Sequence, residues 1–311
     1  MISKPKGQDN ASESAIKHGY AKVNGLQLHY AECGSGADLV ILLHGFPEFW
    51  YSWRHQLAFL GKRCHVVAPD MRGYNLSDKP SRVGDYQIDV LVKDVIDLIG
   101  HFRQSKATIV GHDWGAGVAW AVAQRRPEYV SRLAVMQVPL ASAWRANLTL
   151  KQLRRSWYMF FFQLPRLPEW WIRRNDFAAI AYVFKEKVIR KGSFSHRDIE
   201  LYKEALRQPG ALTGAINYYR ANVLRLMRRP NSGGKVRRVA EQEKHNGRLR
   251  VPTLFIFGEQ DFAIIPETVR CIEEYIDAPY REVRIPDSGH WVQNEAVNEV
   301  NNALMEFLDS Q

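Results

Sequence analysis

Two hydrophobic periods alternate along most of the chain. Apolar and polar residues alternate over Ala21–Val23 and Leu26–Cys33 around Asn24-Gly25, the signal of a β-hairpin. Asp38–Leu43, Cys64–Pro69 and Thr108–Val110 are instead near-continuous apolar runs, as strands buried on both faces of a sheet require. Tyr129–Val138, Pro252–Gly258 and Arg281–Pro286 read as three further strands. Between them the spacing becomes helical. Ser52–Leu60, Asp89–Phe102 (with the stripe Val92, Val95, Ile96, Ile99), Val118–Ala123, Glu267–Ile276 and Glu295–Leu308 are the predicted helices. Strands and helices in this alternation predict an α/β fold with a mostly parallel sheet of eight strands.

The alternation stops after the sixth strand. From Pro139 to Arg250 only helices are predicted: Thr149–Phe162, Asp176–Arg190, His196–Leu206 and Gly210–Leu226, punctuated by Pro165, Pro168, Pro209 and Pro230. Ligands of open parallel sheets bind at the carboxyl ends of the strands, so residues 139–250 are expected to cover that end as a lid. The core is then residues 19–138 and 251–311. Residues 1–18 are polar and lack an apolar h-region, so they are expected to be a disordered tail and not a signal peptide.

A chain of 311 residues buries enough surface to fold without disulfides. Cys33, Cys64 and Cys271 are odd in number and show no metal-ligand spacing, which suits a reducing, cytoplasmic setting. No apolar run approaches the roughly 18 residues of a membrane span. The net charge of +10 is uneven: Pro139–Arg250 carries 24 Lys and Arg against 8 Asp and Glu, whereas the remainder is mildly acidic. The simplest reading is a solvated basic face, with Ser232–Arg238 as a flexible basic loop. A second reading is attraction to anionic lipid, which predicts salt-sensitive peripheral contact of the lid with a membrane. No nucleic-acid module is visible, and no nucleic-acid partner is expected.

The chemistry centres on Thr108-Ile-Val-Gly-His-Asp-Trp-Gly-Ala-Gly117. An apolar strand runs into Gly111, His112, Asp113, Trp114 and Gly115, and a helix follows, the pattern of a sharp turn that lifts one side chain above a sheet. Small residues at Gly111 and Gly115 suit a strained turn with positive φ at its centre. The residue lifted is Asp113, and a carboxylate so placed is a nucleophile. As a mere helix cap, Asp113 would not need glycine on both sides. Two partners lie at the carboxyl ends of later strands: Asp261, in Gly258-Glu-Gln-Asp261, as the acid, with Glu259 as its alternative, and His290, in Ser288-Gly-His290, as the base. His65, His101 and His245 lack such a placement, and His44 and His112 read as structural neighbours of the site. His44-Gly-Phe-Pro47 stands where an oxyanion hole belongs, made by the N–H groups of Phe46 and Trp114, and the Phe46–Pro47 bond is expected to be cis.

These residues resemble the epoxide hydrolase branch of the α/β-hydrolase superfamily. The motifs are His44-Gly-Phe-Pro-Glu-Phe-Trp-Tyr-Ser-Trp-Arg54, Gly111-His-Asp-Trp-Gly115, Asn217-Tyr-Tyr-Arg220 and Ser288-Gly-His-Trp291, and the resemblance runs from about Gly19 to Leu308. It implies an α/β-hydrolase fold and two lid tyrosines that protonate the leaving oxygen. They correspond to Tyr158, in Trp157-Tyr-Met-Phe-Phe-Phe-Gln163, and Tyr219, with adjacent Tyr218 as the alternative. It implies a vicinal diol made from a lipophilic epoxide and water through an ester on Asp113, with no cofactor or metal. Phe46, Trp114, Trp157, Phe160, Phe161, Phe162, Tyr218 and Trp291 are expected around the substrate. The basic stretch Arg228–Arg250 departs from the family, and neither its phosphatase-like N-terminal domain nor its N-terminal anchor is expected here. A haloalkane dehalogenase would use the same Asp113, His290 and Asp261 but would have no use for paired tyrosines, and Phe46 offers no side-chain donor to a halide. A fluoroacetate-type dehalogenase would carry arginine where Trp114 stands, and a binding protein without activity would not need an intact triad.

Overall fold

The apolar runs become β1 (Lys17–Val23), β2 (Leu26–Cys33), β3 (Leu39–Leu43), β4 (His65–Pro69), β5 (Ala107–His112), β6 (Val130–Met136), β7 (Thr253–Gly258) and β8 (Tyr280–Ile285). In the computed structural model, which describes residues 16–227 and 248–310, they form one sheet in the order β1-β2-β4-β3-β5-β6-β7-β8. β1 and β2 pair antiparallel across Asn24-Gly25, β2 pairs antiparallel with β4, and the remaining neighbours are parallel.

The central strand β3 shows why its apolar run has no polar break. Leu39, Ile41 and Leu43 join one core cluster, and Val40 and Leu42 join another, because successive side chains point to opposite faces. The first cluster takes in Leu91, Val95 and Leu98 of α2 (Ile88–His101) and Val118 and Val122 of α3 (Trp114–Arg125). The second takes in Leu57 and Leu60 of α1 (Arg54–Leu60) and residues of a C-terminal helix, Val297–Asp309. All the functional loops then emerge at one end of the parallel strands.

Between β6 and β7 lie α4 (Ala141–Ala146), α5 (Leu150–Arg155), α6 (Trp157–Phe161), α7 (Leu167–Glu186), α8 (His196–Arg207) and α9 (Ala211–Met227). Their own core is Phe177, Ile180, Phe184, Tyr202, Leu206 and Ile216. α9 is tied to the sheet domain by Asn222, which donates to the Tyr86 carbonyl at 2.9 Å and accepts from the Ile88 N–H at 2.9 Å.

Several boundaries differ from the periodicity. Thr149–Phe162 is two helices, parted at Ser156, whose buried hydroxyl lies 2.9 Å from Gln152 Nε2. The helix expected at Asp176–Arg190 is the second half of α7, which begins at Leu167 and bends where Asn175, Asp176 and Phe177 take positive φ. Asn and Asp tolerate that conformation, and burial of Phe177 in the lid core holds the third residue there. Glu267–Ile276 is two 3₁₀ turns, broken at Cys271 with φ of 58°. Glu295–Leu308 resolves into α10 (Val292–Glu295) and α11 (Val297–Asp309).

The strand β1 begins at Lys17, so Lys17 and His18 belong to the sheet and not to the tail. Leu249 pairs with Ile276 beside the sheet, its N–H on the Tyr275 carbonyl at 2.9 Å. Ile16 packs against the second core cluster, whereas residues 1–15 of the expected tail, the Ser232–Arg238 loop and most of Arg228–Arg250 lie outside the described residues. Among the described residues no helix is long and apolar enough to cross a membrane.

Candidate active site

Asp113 stands between β5 and α3 with φ of 51° and ψ of −118°. A Cβ on Gly111 would lie 2.4 Å from the Gly115 carbonyl oxygen, and one on Gly115 would lie 2.0 Å from that of Leu43. Only glycine fits the two flanks of this turn. The capping alternative fails, because the Asp113 side chain makes no cap hydrogen bond to α3. Its Oδ1 instead accepts the Phe46 N–H at 2.9 Å, and its Oδ2 faces His290 Nε2 at 3.7 Å. The Phe46–Pro47 peptide is cis, as expected.

His290 Nδ1 lies 2.9 Å from Asp261 Oδ2. Asp261 is buried and held by three further donors: the N–H groups of Ala263 (2.6 Å) and Ile264 (3.0 Å) donate to Oδ1, and the Gln137 amide donates to Oδ2 at 2.7 Å. Burial alone would raise the pKa of Asp261, but His290 and the N–H groups of Ile264 and Ala263 outweigh it and hold the carboxyl below its usual range. Burial likewise opposes charge on His290, yet Asp261, then Asp113 and Glu48, raise it to about 9. Glu259 pairs with Arg284 at 3.2 Å, whereas Asp261 meets His290.

A second buried carboxylate braces the turn from below. Glu48 accepts the Gly45 N–H at 3.1 Å, the Ser52 hydroxyl at 2.6 Å and the Gln293 amide at 3.0 Å. His112 Nδ1 lies 2.7 Å from Glu48, and its Nε2 lies 2.7 Å from the His290 carbonyl oxygen. Burial would raise Glu48, but His112 and these donors hold it down at about 2. Glu48 and Gln137 were not singled out in the sequence. Glu48 lies within the motif His44–Arg54, a local signal, whereas nothing near Gln137 marks it. His44 bonds the Gly45 carbonyl and the Met71 N–H at 3.0 Å each, a structural neighbour as expected. His65 pairs with Glu32 away from the site, His101 packs on Tyr30 and Phe102, and His245 lies outside the described residues.

A cavity of about 1040 Å³ lies between the sheet domain and the lid. Asp113 and His290 form its floor, and Tyr158 and Tyr219 reach it from the lid. The two tyrosine rings meet edge to face, with centroids 5.9 Å apart. The Gln163 amide donates to the carbonyls of Met159 (2.9 Å) and Tyr219 (3.2 Å), which locks α6 to α9. Arg220 adds bonds to the Phe162 and Leu164 carbonyls and an ion pair with Glu169 at 2.7 Å. Burial, then the charge of Asp113, raise both phenols, so each keeps its proton throughout the working range of pH.

Phe46, Trp157, Phe161, Phe162 and Trp291 line the cavity, while Phe160 does not. Two other expected lining residues are corrected. Tyr218 is fully buried behind the site, its hydroxyl donating to the Arg72 carbonyl at 2.9 Å, because one residue along α9 turns a side chain by about 100°. The Trp114 ring packs edge-on against Tyr219, centroids 5.0 Å apart, and lies outside the cavity wall. Phe262, Ile172, Ile180 and Val183 complete the apolar wall and were not anticipated.

The sequence matches the family model described as alpha/beta hydrolase fold over residues 38–297. The chain belongs to the α/β-hydrolase family. Within it, the chain is 35% identical to epoxide hydrolase 4 of Mus musculus, over 94% of this chain and 80% of the relative. It is 36% identical to the AB hydrolase superfamily protein YfhM of Bacillus subtilis, over 95% of this chain and 99% of the relative. Among solved structures, an inhibitor complex of the Bacillus megaterium epoxide hydrolase superposes with a TM-score of 0.80 at 33% identity, covering 94% of this chain and all of that one. Other α/β-hydrolases among its relatives also carry the name epoxide hydrolase, from Xenopus tropicalis and Homo sapiens among them.

Proposed function

We propose that this chain hydrolyses lipophilic epoxides to vicinal diols through a covalent ester on Asp113. The observation that carries the reading is one cavity in which a carboxylate on a strained turn faces two protonated phenols. Asp113 Oδ2 attacks an epoxide carbon in line, and the C–O bond to the ring oxygen breaks. Tyr158 and Tyr219 donate hydrogen bonds to that oxygen as its charge grows, and one of them gives it a proton. Donors fixed in this way are each worth roughly 10²–10³ in rate.

The second half follows from the charges. Raised by Asp261 and then Asp113, His290 holds a proton at neutral pH. Esterification removes the charge of Asp113, one of the groups that raise His290, and so favours transfer of that proton to the phenolate left by ring opening, which restores the tyrosine. Neutral His290, oriented by Asp261, then takes a proton from water as the water attacks Cγ of Asp113. The oxyanion forms on Oδ1, the atom that already accepts the Phe46 N–H, with the Trp114 N–H as the second donor. Collapse expels the diol and restores the carboxylate.

A point mutant of the Bacillus megaterium epoxide hydrolase has been solved with its naphthyloxy-propanediol product, which supports an aryl ether epoxide as the first substrate to try. Wild-type protein should open it, and Asp113→Ala should lose roughly 10⁴-fold or more. Halide release from bromoalkanes, with the epoxide untouched, would replace this reading with dehalogenation, which the paired tyrosines and the similarities above disfavour.

A further inference from the structure

We propose that the lid docks on anionic lipid bilayers through the face formed by α6, the start of α7 and the turn between them. Six large apolar residues stand in this short stretch: Trp157, Phe160, Leu164, Leu167, Trp170 and Trp171. Each is 43–57% exposed. An apolar patch of this kind on a folded chain marks an interaction surface. Tryptophan in particular settles at the boundary between headgroups and acyl chains.

The surrounding charge selects the partner. From Leu150 to Arg174 there are six Lys and Arg and a single acidic residue, Glu169, which is paired with Arg220. Arg154, Arg166, Arg173 and Arg174 are exposed, and Arg174 lies over the Trp170 ring at 4.8 Å. Aromatic and leucine side chains ringed by arginine match an interfacial membrane contact. The same ring opposes a second copy of the chain, since a two-fold contact would set cations against cations.

The patch is continuous with the cavity. Trp157 and Phe161 pack with ring centroids 5.9 Å apart, and so do Phe161 and Trp171. All three line the cavity, together with Arg154 and Arg174. A lipophilic substrate dissolved in the bilayer would thus pass from acyl chains to the cavity without crossing water. This delivery step rests on the epoxide reading above, whereas the docking itself does not.

The test is flotation of the purified full chain with phosphatidylcholine vesicles, with and without phosphatidylserine. Two double variants accompany it, Leu167→Ser with Trp170→Ser and Arg166→Glu with Arg173→Glu, none of them at a cavity-lining position. Wild type should bind the phosphatidylserine vesicles at roughly 0.1 M salt and release at roughly 1 M, where the screening length falls to about 3 Å. Each cation near such a surface contributes roughly fivefold in affinity, so the charge-reversed pair should bind at least about 30-fold more weakly. The serine pair should lose binding to a similar extent. Hydrolysis of a water-soluble epoxide without vesicles should be unchanged in all three proteins. Failure of wild type to bind, or equal binding by both double variants, overturns the proposal, as does a dimer that the serine pair dissolves. Vesicle binding without epoxide turnover would leave the docking surface standing and remove the proposed activity.

Discussion

The sheet domain and the lid fix the groups proposed to react by different means. Asp113, Asp261 and His290 sit on turns at strand ends, braced by buried carboxylates and amides with hydrogen bonds of 2.6–3.1 Å. Tyr158 and Tyr219 sit on helices held by aromatic edges and by a few polar ties through Gln163 and Arg220. The difference divides the proposed reaction. In that proposal, ester hydrolysis uses only the sheet domain, whereas ring opening uses the two parts in register.

That division can be broken most sharply at the phenols. Tyr158→Phe with Tyr219→Phe should slow formation of the ester by roughly 10⁴-fold or more, from the combined loss of two fixed donors. Each single variant should lose roughly 10²–10³. Single-turnover mixing followed by acid quench measures ester formation and decay separately, and decay should stay within a few-fold of wild type. Equal losses in both halves would mean that the lid also builds the hydrolytic site.

The pH dependence of stability sharpens the same contrast with a smaller effect. His290 is raised to about 9 in the folded chain, from about 6.5 when unfolded. A raised value of this kind stabilises the fold fully below about pH 6.5 and is lost as pH rises through about 9, a change on the order of 3 kcal/mol. Denaturant midpoints between those limits should fall in wild type and stay nearly level in His290→Gln. The same slope in both proteins would place the titrating group elsewhere.

The legibility of the site follows the range of the contacts that make it. Asp113, Asp261 and His290 each follow a strand directly, so a local pattern of apolar run and turn marks them. The eight strands were legible for the same reason. Tyr158 and Tyr219 came only from a resemblance, and the choice between Tyr219 and Tyr218 turns on the phase of α9 against the cavity, which no local signal carries. The bracing residues act over long separations: 64 residues from Glu48 to His112, and 124 from Gln137 to Asp261. Their side chains look like ordinary polar residues until the fold buries them. The breaks at Ser156 and at Asn175–Phe177 escape the periodicity because burial of Ser156 and Phe177, which no local pattern carries, helps set the backbone there.

The central claim is a bond between Asp113 and a substrate carbon, and His290→Gln tests it most directly. Incubated with the aryl ether epoxide, this variant should gain the full mass of the epoxide by intact-protein mass spectrometry, and peptide mapping should place the addition on Asp113. A variant that stays unmodified while wild type turns the epoxide over, or one modified at another residue, would contradict the account.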